Sequence, residues 1–584
     1  MKNNIRTFFL FFITSVFFTI SLSAQEALKS IEEEYYDFLS LNGIVERPTL
    51  GYRTLSDSVW VFNEVESFEE NEDGTFTKVR VDGAESDAHI WKNNNLGTTY
   101  NLWTPSSHSD NWFTRGLNQG LTARVYGPEW FNSYNTAAPY GQNDGALWQG
   151  RGYNTALTAG VRLEGYGFEL TFKPQVSWMQ NREFDNNPDI YPNPYLYTFQ
   201  SGTVHHTIDL VRRYGDTSFW NYDWGDTEIR WSWNTLTFGF GTQNPWLGSA
   251  YLNPMLGSNN AAGYLKFDAG LRKTEIIIPF LGWSLGYIEG RIWVGQLKES
   301  DYFDNNSDND KRMLTAMSAS YNPSFIPGFT IGLNRVFMTY WRPENFKYIL
   351  RLFTASRLNA LTTNGNDEDQ KFAIFAEWNF PKVGFTIYGE FGRDDYSSDE
   401  RSNFFHTAIY TLGAKQIIPL PFGLKSELIF EWNDFEMSQD FQLQWPYLGF
   451  YSHGFVKQGY THCGQSVGAG FGWAGNSQFI QYKIYYPKGF TAIKFHRYCP
   501  NNNSVYSQAV NTSSDADKGD NSDIYSTWYA NFETYCIFGM ESCLYITPSF
   551  NLTGEFDYVY IKHFNYEDVL CNNFSFQLSL KYAF

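Results

Sequence analysis

The chain lacks the features of helical membrane proteins, zinc proteins and nucleic-acid-binding proteins. After residue 22 no apolar run approaches the length of a spanning helix, so we expect no transmembrane helix in the mature protein. Cysteine is scarce, with five residues that show no CxxC spacing, which argues against a zinc site. Lys and Arg total 43 against 62 Asp and Glu, and the net charge of −19 argues against nucleic acid as a partner.

Motifs of common enzymes are also missing. No two histidines lie four residues apart, no Ser-centred GxSxG elbow occurs, and the glycine-rich run 464–475 has no helix behind it that could bind phosphate. The acidic run Asp304–Asp310 alternates oxygen ligands, but Asn309 and Thr315 replace the Gly and Glu of a calcium loop. We therefore expect no catalytic residue, no cofactor and no metal.

Aromatic residues, in contrast, are abundant. They make up 19% of the chain, with 40 Tyr, 52 Phe and 20 Trp, although the mean hydropathy is only −0.41. Transmembrane barrels combine many rings with a polar average, because rings form girdles at both membrane interfaces while the lumen and loops stay polar. This composition favours a barrel.

The last eleven residues, Phe574–Phe584, alternate without a break between apolar and polar or small side chains. Only a β-strand has this two-residue period. A uniform apolar face that ends on an aromatic residue is typical of a strand with lipid on one side and a polar lumen on the other.

The amino terminus has the order of a secretory signal. Lys2 and Arg6 precede an apolar run and then small residues, and we expect cleavage near Ala24. Residues 25–108 are predicted to form a periplasmic segment with a helix at Glu26–Leu41 and a charged loop or hairpin at Glu64–Asp87. Residues 109–584 are predicted to form the barrel, which places the protein in the outer membrane.

Short turns and long polar connections alternate along the barrel portion. The turns are Gly165–Gly167, Pro279–Trp283, Pro327–Phe329, Pro381–Phe385 and Pro419–Gly423. The long connections are 181–193, 301–312, 362–370, 393–403 and 501–523. The fold class is therefore all-β, a large antiparallel transmembrane β-barrel of roughly 16 to 20 strands, with short turns in the periplasm and long loops outside.

The hairpin at Pro381–Gly384 can be read in register. If Phe380 pairs with Phe385, then Glu377 and Glu390 become diagonal neighbours on the lumen face, at about 7–8 Å. Paired carboxylates at such a distance can perform inverting glycoside hydrolysis. The favoured interpretation is that they are acidic residues of lumen-facing strands that pair with Arg side chains and have no catalytic role.

Rings and amides are concentrated within residues 224–260. Rings offer apolar platforms to the C–H faces of sugars, and amides bond their hydroxyl groups, so this chemistry suits a polysaccharide. Interfacial girdles use the same Trp and Tyr residues without any ligand. Girdle is the preferred role for most single rings.

Several stretches, in this order along the chain, resemble the Wzi family of capsule-assembly outer-membrane proteins. They are Phe38–Pro48 (FLSLNGIVERP), Asn143–Tyr153 (NDGALWQGRGY), Ile208–Trp224 (IDLVRRYGDTSFWNYDW), Asn244–Ala262 (NPWLGSAYLNPMLGSNNAA), Tyr388–Asp395 (YGEFGRDD) and His453–Gly470 (HGFVKQGYTHCGQSVGAG). The acidic insertion at 64–87 and the cysteines near the carboxyl end depart from the family pattern.

This resemblance implies a non-enzymatic, lectin-like barrel with a helical piece at its periplasmic mouth, which holds capsular or surface polysaccharide on the cell. The residues it singles out, as sugar contacts or as ion pairs that fill the lumen, are Arg151, Asp209, Arg212, Arg213, Asp216, Asn259, Asn260, Glu390, Arg393 and Asp395. The expected partners are the polysaccharide and outer-membrane lipid, and the protein is expected to be a monomer. The alternatives are a channel for oligosaccharides or other solutes, and a hydrolase that uses Glu377 and Glu390.

Overall fold

The computed structural model describes residues 30–70, 76–188, 191–201, 204–353, 368–394, 405–438, 449–503 and 532–584. The expected signal segment and Asp395 lie outside these ranges. So do parts of the long connections at 181–193, 362–370, 393–403 and 501–523.

In the described residues, 18 antiparallel strands form a closed barrel, which confirms the predicted fold class. The strands are β1 Leu121–Asn135, β2 Gly152–Gly165, β3 Phe168–Phe172 continued by Gln175–Met179, β4 Phe219–Asp223 continued by Glu228–Trp233, β5 Leu236–Gly241, β6 Lys266–Ile277, β7 Ser284–Lys298, β8 Lys311–Pro323, β9 Phe329–Tyr340, β10 Glu368–Phe380, β11 Phe385–Arg393, β12 Ala408–Pro419, β13 Lys425–Asp434, β14 Asn476–Tyr486, β15 Gly489–Cys499, β16 Thr534–Thr547, β17 Phe550–Lys562 and β18 Leu570–Tyr582.

The barrel closes where β18 pairs with the second half of β1. Ser575 lies opposite Asn135 and Lys581 opposite Glu129. The short strand Thr99–Trp103 pairs with the first half of β1, beyond the end of β18. Closure leaves the sheet without an open edge, as a bilayer requires.

Strand β18 shows how the wall divides lipid from lumen. Phe576 and Leu578 are 48% and 42% exposed on the outer face, whereas Ser575 and Lys581 are buried toward the lumen. The alternation predicted from the last eleven residues is therefore confirmed.

Short turns lie at one end of the barrel and long loops at the other. The predicted turns fall between β2 and β3, β6 and β7, β8 and β9, β10 and β11, and β12 and β13. Tyr166 and Gly167 have φ of 53° and 81°, the left-handed conformation that two-residue hairpins use. We call the short-turn end the periplasmic mouth and the long-loop end the external mouth, following bacterial barrels of this kind.

The amino-terminal segment fills the periplasmic mouth. Helix α1 (Ile31–Leu41) begins at Ser30, whose side chain accepts a hydrogen bond from the Glu33 amide. Short strands follow at Val45–Glu46, Tyr52–Arg53 and Val61–Phe62, with a hairpin of Glu64–Glu70 and Phe76–Asp82.

Stacked rings attach this segment to the wall. Tyr35 of α1 stacks on Trp91 with ring centroids 4.0 Å apart. The indole of Trp91 donates to the backbone oxygens of Tyr486 and Gly489, at the turn between β14 and β15. No described helix is long and apolar enough to cross a membrane.

The remaining short elements belong to the loops. They are the strands Leu196–Ser201, Val204–Val211, Trp246–Leu247, Thr461–His462 and Gln465–Ser466, and the 3-10 helices Pro343–Phe353, Pro421–Gly423 and Phe564–Tyr566. The described residues of loops 136–151, 180–218, 242–265 and 435–475 fold inward and supply much of the buried core inside the barrel.

Candidate functional site: a filled lumen and an external cavity

Two segments that enter the barrel from opposite ends meet inside the lumen. Tyr52–Arg53 of the amino-terminal segment pairs with Trp246–Leu247 of loop 242–265 as a two-stranded sheet. Tyr52, Trp246 and Leu247 are each at most 1% exposed. The lumen is therefore occupied at this level.

Three glutamates of the wall hold these segments by their backbone amides. Glu289 on β7 accepts hydrogen bonds from the amides of residues 50, 51 and 52, at 2.9, 2.8 and 3.2 Å. Glu390 on β11 accepts from the amides of 249, 250 and 255, at 2.8, 3.0 and 3.3 Å. Glu431 on β13 accepts from those of 251, 252 and 253, at 2.6, 3.1 and 2.9 Å. Each carboxylate thus satisfies backbone donors that would otherwise be buried without a partner.

Glycine is required where the segments touch the wall. A Cβ at Gly51 would lie 2.1 Å from the ring of Phe375, and one at Gly248 would lie 2.2 Å from Glu390. Gly248 also has φ of +90°, which L side chains rarely adopt. The close approach of backbone to wall therefore depends on both glycines.

Ion pairs fix helix α1 in the periplasmic mouth. Asp37 bonds Arg47 and Lys415, and Arg47 also reaches Glu377 at 3.1 Å. Burial alone would raise the pKa of Asp37, but Arg47 and Lys415 outweigh it, so the pKa lies below its usual range. Lys483 of β14 bonds Glu34 of the helix at 2.5 Å.

The predicted register of the β10–β11 hairpin is confirmed. Phe380 pairs with Phe385, Glu377 with Tyr388, and Phe375 with Glu390. The two carboxylates of the hydrolase hypothesis are both engaged, since Glu377 bonds Arg47 and Glu390 bonds amides of loop 242–265.

Among the residues singled out by resemblance, Asp209 and Arg212 are buried supports of the loops. Asp209 accepts from the amide and hydroxyl of Ser300 at 2.9 and 2.5 Å. Arg212 bonds the side chain of Asn565 at 2.5 Å, and its guanidinium lies 3.6 Å from the centre of the Tyr191 ring.

Four others lie nearer the surface or in the wall. Arg151 donates to the backbone oxygens of Thr136 and Glu183, and Arg213 pairs with the exposed Asp216 at 3.3 Å. Arg393, at the end of β11, is buried.

The two adjacent asparagines join loops at the external mouth. The Asn259 side chain donates to the backbone oxygen of Asn143 at 3.5 Å. The Asn260 side chain donates to the backbone oxygen of Ser466 at 3.2 Å and accepts from the Asn143 amide at 3.4 Å. Of the ten residues singled out by resemblance, Asn260 also lines a cavity.

This cavity lies at the external mouth, among the inward-folded loops and the ends of β15 and β16. Its volume, counted with adjoining solvent, is about 850 Å³. The rings in its lining are Tyr140, Trp148, Tyr197, Phe471, Trp473, Tyr498 and Tyr535. Tyr498 and Tyr535 stack almost parallel, with centroids 4.6 Å apart, and Tyr197 packs against Trp473 at 5.4 Å.

Polar side chains interrupt this aromatic lining. They are Asp144, Gln149, Asn260, Gln465 and Ser466. The described lining residues include no Lys or Arg. Burial raises the pKa of Asp144 to about 7. Rings with amide, hydroxyl and carboxyl groups suit a neutral polyhydroxylated ligand better than an anion.

Sequence reasoning missed most of this site. Glu289 and Glu431 carried no sequence signal beyond being acidic residues in strands. Trp246 lies within residues 224–260, whose rings were predicted to be mostly interfacial, but it lies in the lumen. Trp148 and Gln149 of the cavity belong to the NDGALWQGRGY segment noted for its family resemblance. The glycine-rich run 464–475 contributes several lining residues.

Comparison with one solved structure supports the fold. Wzi, an outer-membrane protein of Escherichia coli described as a carbohydrate-binding β-barrel involved in group 1 capsule assembly, matches with a TM-score of 0.52 at 11% identity, over 79% of this chain and 85% of that one. OprB of Pseudomonas putida matches with a TM-score of 0.36 at 10% identity, over 79% and 94% of the two chains. No protein-family model and no curated protein sequence matches. The chain has the fold of an outer-membrane β-barrel.

Proposed function

We propose that this protein is a non-enzymatic, lectin-like barrel of the outer membrane that holds capsular or surface polysaccharide at the cell surface. The observation that carries the proposal is the external cavity, in which seven rings and five polar side chains surround one space. Wzi, whose fold is similar, is described as carbohydrate-binding, which supports the same class of ligand.

The surface chemistry of the cavity suits a sugar ligand. Rings such as Trp148 and Trp473 present apolar faces that can pack on the C–H face of a sugar ring. Asn260, Gln465 and Asp144 offer both donors and acceptors for hydroxyl groups. Because the described lining has no cationic side chain, we propose a neutral portion of the glycan as the bound unit.

The filled lumen supports holding rather than transport. Loop 242–265 and the amino-terminal segment meet inside the barrel, and Glu289, Glu390 and Glu431 fix them to the wall. A solute would have to displace these contacts to pass.

The test is retention of surface polysaccharide, prepared from the bacterium that carries this protein, by the full mature chain in detergent. We expect Trp148→Ala and Tyr498→Ala each to weaken retention about fivefold, since a lost ring contact costs roughly 1 kcal/mol. Tyr222→Ala, which removes a ring 74% exposed on the barrel wall, is the matched control and should bind normally.

Absence of retention by the wild-type chain would overturn the proposal. Equal retention by the cavity variants and the control would show that the cavity is not the polysaccharide-binding site. A large conductance of the wild-type chain in planar bilayers would instead favour the channel.

A further inference from the structure

The rim of the external mouth is not level. Gly241, the last residue of β5, pairs with Lys266 of β6 and lies opposite Glu228 of β4. The upper part of β4, Phe219–Asp223, therefore rises beyond the end of β5, and β3 is its strand partner among the described residues. Beyond Gly241 and Lys266 the chain leaves the wall, because loop 242–265 turns into the lumen. We call this low part of the rim, between the upper ends of β4 and β7, the notch.

The notch begins at the outer membrane interface. On β7, Trp293 is buried toward the lumen, and the outward side chains are, in order, Ile292, Val294, Gln296 and Lys298. This outward row changes from apolar to polar at Gly295, which pairs with Lys266 at the bottom of the notch. Such a change marks the end of the apolar band of a barrel. On this side the wall is thus complete at the level of the hydrocarbon and low at the level of the lipid headgroups.

Aromatic rings form a continuous file from the external cavity into the notch. Trp148, in the cavity lining, lies 5.3 Å from Tyr214, and Tyr214 lies 5.9 Å from Tyr302 between ring centroids. Tyr302 in turn lies 5.2 Å from Tyr195. We call these four rings the ring file.

Tyr214 stands in the notch itself. Its ring packs on Phe219 of β4 at 5.4 Å. Its hydroxyl donates to the backbone oxygen of Cys463 at 2.6 Å, and the Cys463 amide donates to the backbone oxygen of Lys298, the last residue of β7, at 2.9 Å. One side chain therefore spans the distance between the two edges of the wall.

The two ends of the ring file offer groups to a ligand. At the outer end, the Tyr195 hydroxyl donates at 2.8 Å to Asp216, whose side chain is 70% exposed. At the inner end, the indole nitrogen of Trp148 is buried and has no hydrogen-bond partner among the described residues. A buried N–H without an acceptor is unfavourable, and a sugar hydroxyl that reached it would satisfy it.

We propose that the ring file is a binding track for a glycan chain, and that a polysaccharide held in the external cavity continues sideways through the notch toward the outer leaflet. This inference rests on the proposed function and adds the path of the chain and a second set of sugar contacts. Rings in a row offer apolar faces to successive sugar units. Passage of the chain requires the Tyr214 hydroxyl to leave Cys463, so that this ring can pack on a sugar.

The first test compares the long polysaccharide with a short fragment of it that occupies the cavity alone, on the full mature chain in detergent. We expect the long chain to bind more tightly than the fragment. Tyr195→Ala with Tyr302→Ala should reduce that advantage about 10- to 30-fold, because two ring contacts are lost. The matched control is Tyr410→Ala with Tyr558→Ala, which removes two rings from β12 and β17 and should keep the advantage.

Equal binding of the long chain and the fragment to the wild-type protein would overturn the proposal. An equal loss of both ligands in the Tyr195 and Tyr302 variant would show that these rings only support the loops, and would also overturn it. If the wild-type protein bound neither ligand, the proposed function would fall, and this inference with it.

The second test bars the notch. Asp223→Cys with Lys298→Cys, in a chain that also carries Cys463→Ser, places thiols on the two edges of the notch, and a short bis-maleimide with a reducible link joins them. We expect the joined chain to lose most of the advantage of the long polysaccharide over the fragment, and to regain it when the link is reduced. An unchanged advantage in the joined chain would overturn the proposal while leaving the cavity as the binding site.

Discussion

The two ends of the lumen are built from opposite chemistry. At the periplasmic mouth, charges are paired and rings are stacked, as in Asp37 with Lys415 and Tyr35 with Trp91, so the parts fit each other. At the external mouth, rings and amides surround a cavity. We call the periplasmic mouth, together with the wall glutamates that hold loop 242–265, the inner region, and the lining of the external cavity the outer region. The groups of the inner region bond one another, whereas those of the outer region can bond a ligand. The comparison teaches that closure and recognition are carried by different residues, which can be changed separately.

The largest expected effect comes from removing wall carboxylates of the inner region. Glu390→Ala combined with Glu431→Ala leaves six amides of loop 242–265 without their acceptors. Hydrogen bonds to charged groups contribute roughly 1.5–3 kcal/mol, so we expect a loss of at least about 3 kcal/mol for the two sites and a new ion conductance. Urea unfolding and planar-bilayer recording measure these.

The control for this variant is Glu567→Ala with Asp568→Ala, two exposed carboxylates of an external loop, which should change neither quantity. If the Glu390 and Glu431 variant kept wild-type stability and stayed closed, the wall carboxylates would not be what holds the loop.

Much of the barrel wall was predictable from local sequence pattern, whereas the segments that fill the lumen were not. The β18 alternation and the β10–β11 register depend on neighbouring residues and a short turn, so the sequence displays them directly. The contact of Glu289 with Gly51 joins residues 238 positions apart, and no periodicity records such a pairing.

The external cavity escaped sequence reasoning for a different reason. Its rings come from three inward loops and two strand ends, and a Trp in such a loop has the same neighbours in sequence as one in an interfacial girdle. Burial alone distinguishes them, as for the fully buried Trp246 and the 65% exposed Trp224.

A smaller effect is expected from crowding the contact between segment and wall. Gly51→Ala places a methyl group 2.1 Å from the Phe375 ring, and such overpacking costs about 1–3 kcal/mol. We expect a lower thermal midpoint with unchanged polysaccharide retention. Gly454→Ala is the matched control, because a Cβ there meets nothing within 4 Å and should leave the midpoint unchanged. A Gly51→Ala chain as stable as wild type would show that Tyr52–Arg53 can move away from the wall.

The smallest expected effect is a dependence of the inner region on pH. Burial lowers the pKa of His89 from 6.5 to about 4, so the folded segment keeps this ring neutral. The neutral ring costs no stability above about pH 6.5. Stability is lost as the pH falls toward 4, because the unfolded chain then binds a proton that the folded chain does not, and the loss is about 2 kcal/mol at pH 5. Limited proteolysis of the amino-terminal segment should therefore accelerate on acidification.

The matched variant is His89→Gln, which keeps a polar partner for the Tyr35 hydroxyl but cannot gain charge in this range. Its cleavage should depend less on pH than that of the wild type. Equal acceleration in both chains would assign the effect to other groups.

The central claim is that the inner region closes the barrel and that the outer region binds polysaccharide from outside. Single-channel recording of the wild-type chain in planar bilayers tests the closure most directly. The account predicts almost no current at any moderate voltage, together with current in the Glu390→Ala and Glu431→Ala variant. A steady ohmic conductance of the wild-type chain would contradict it.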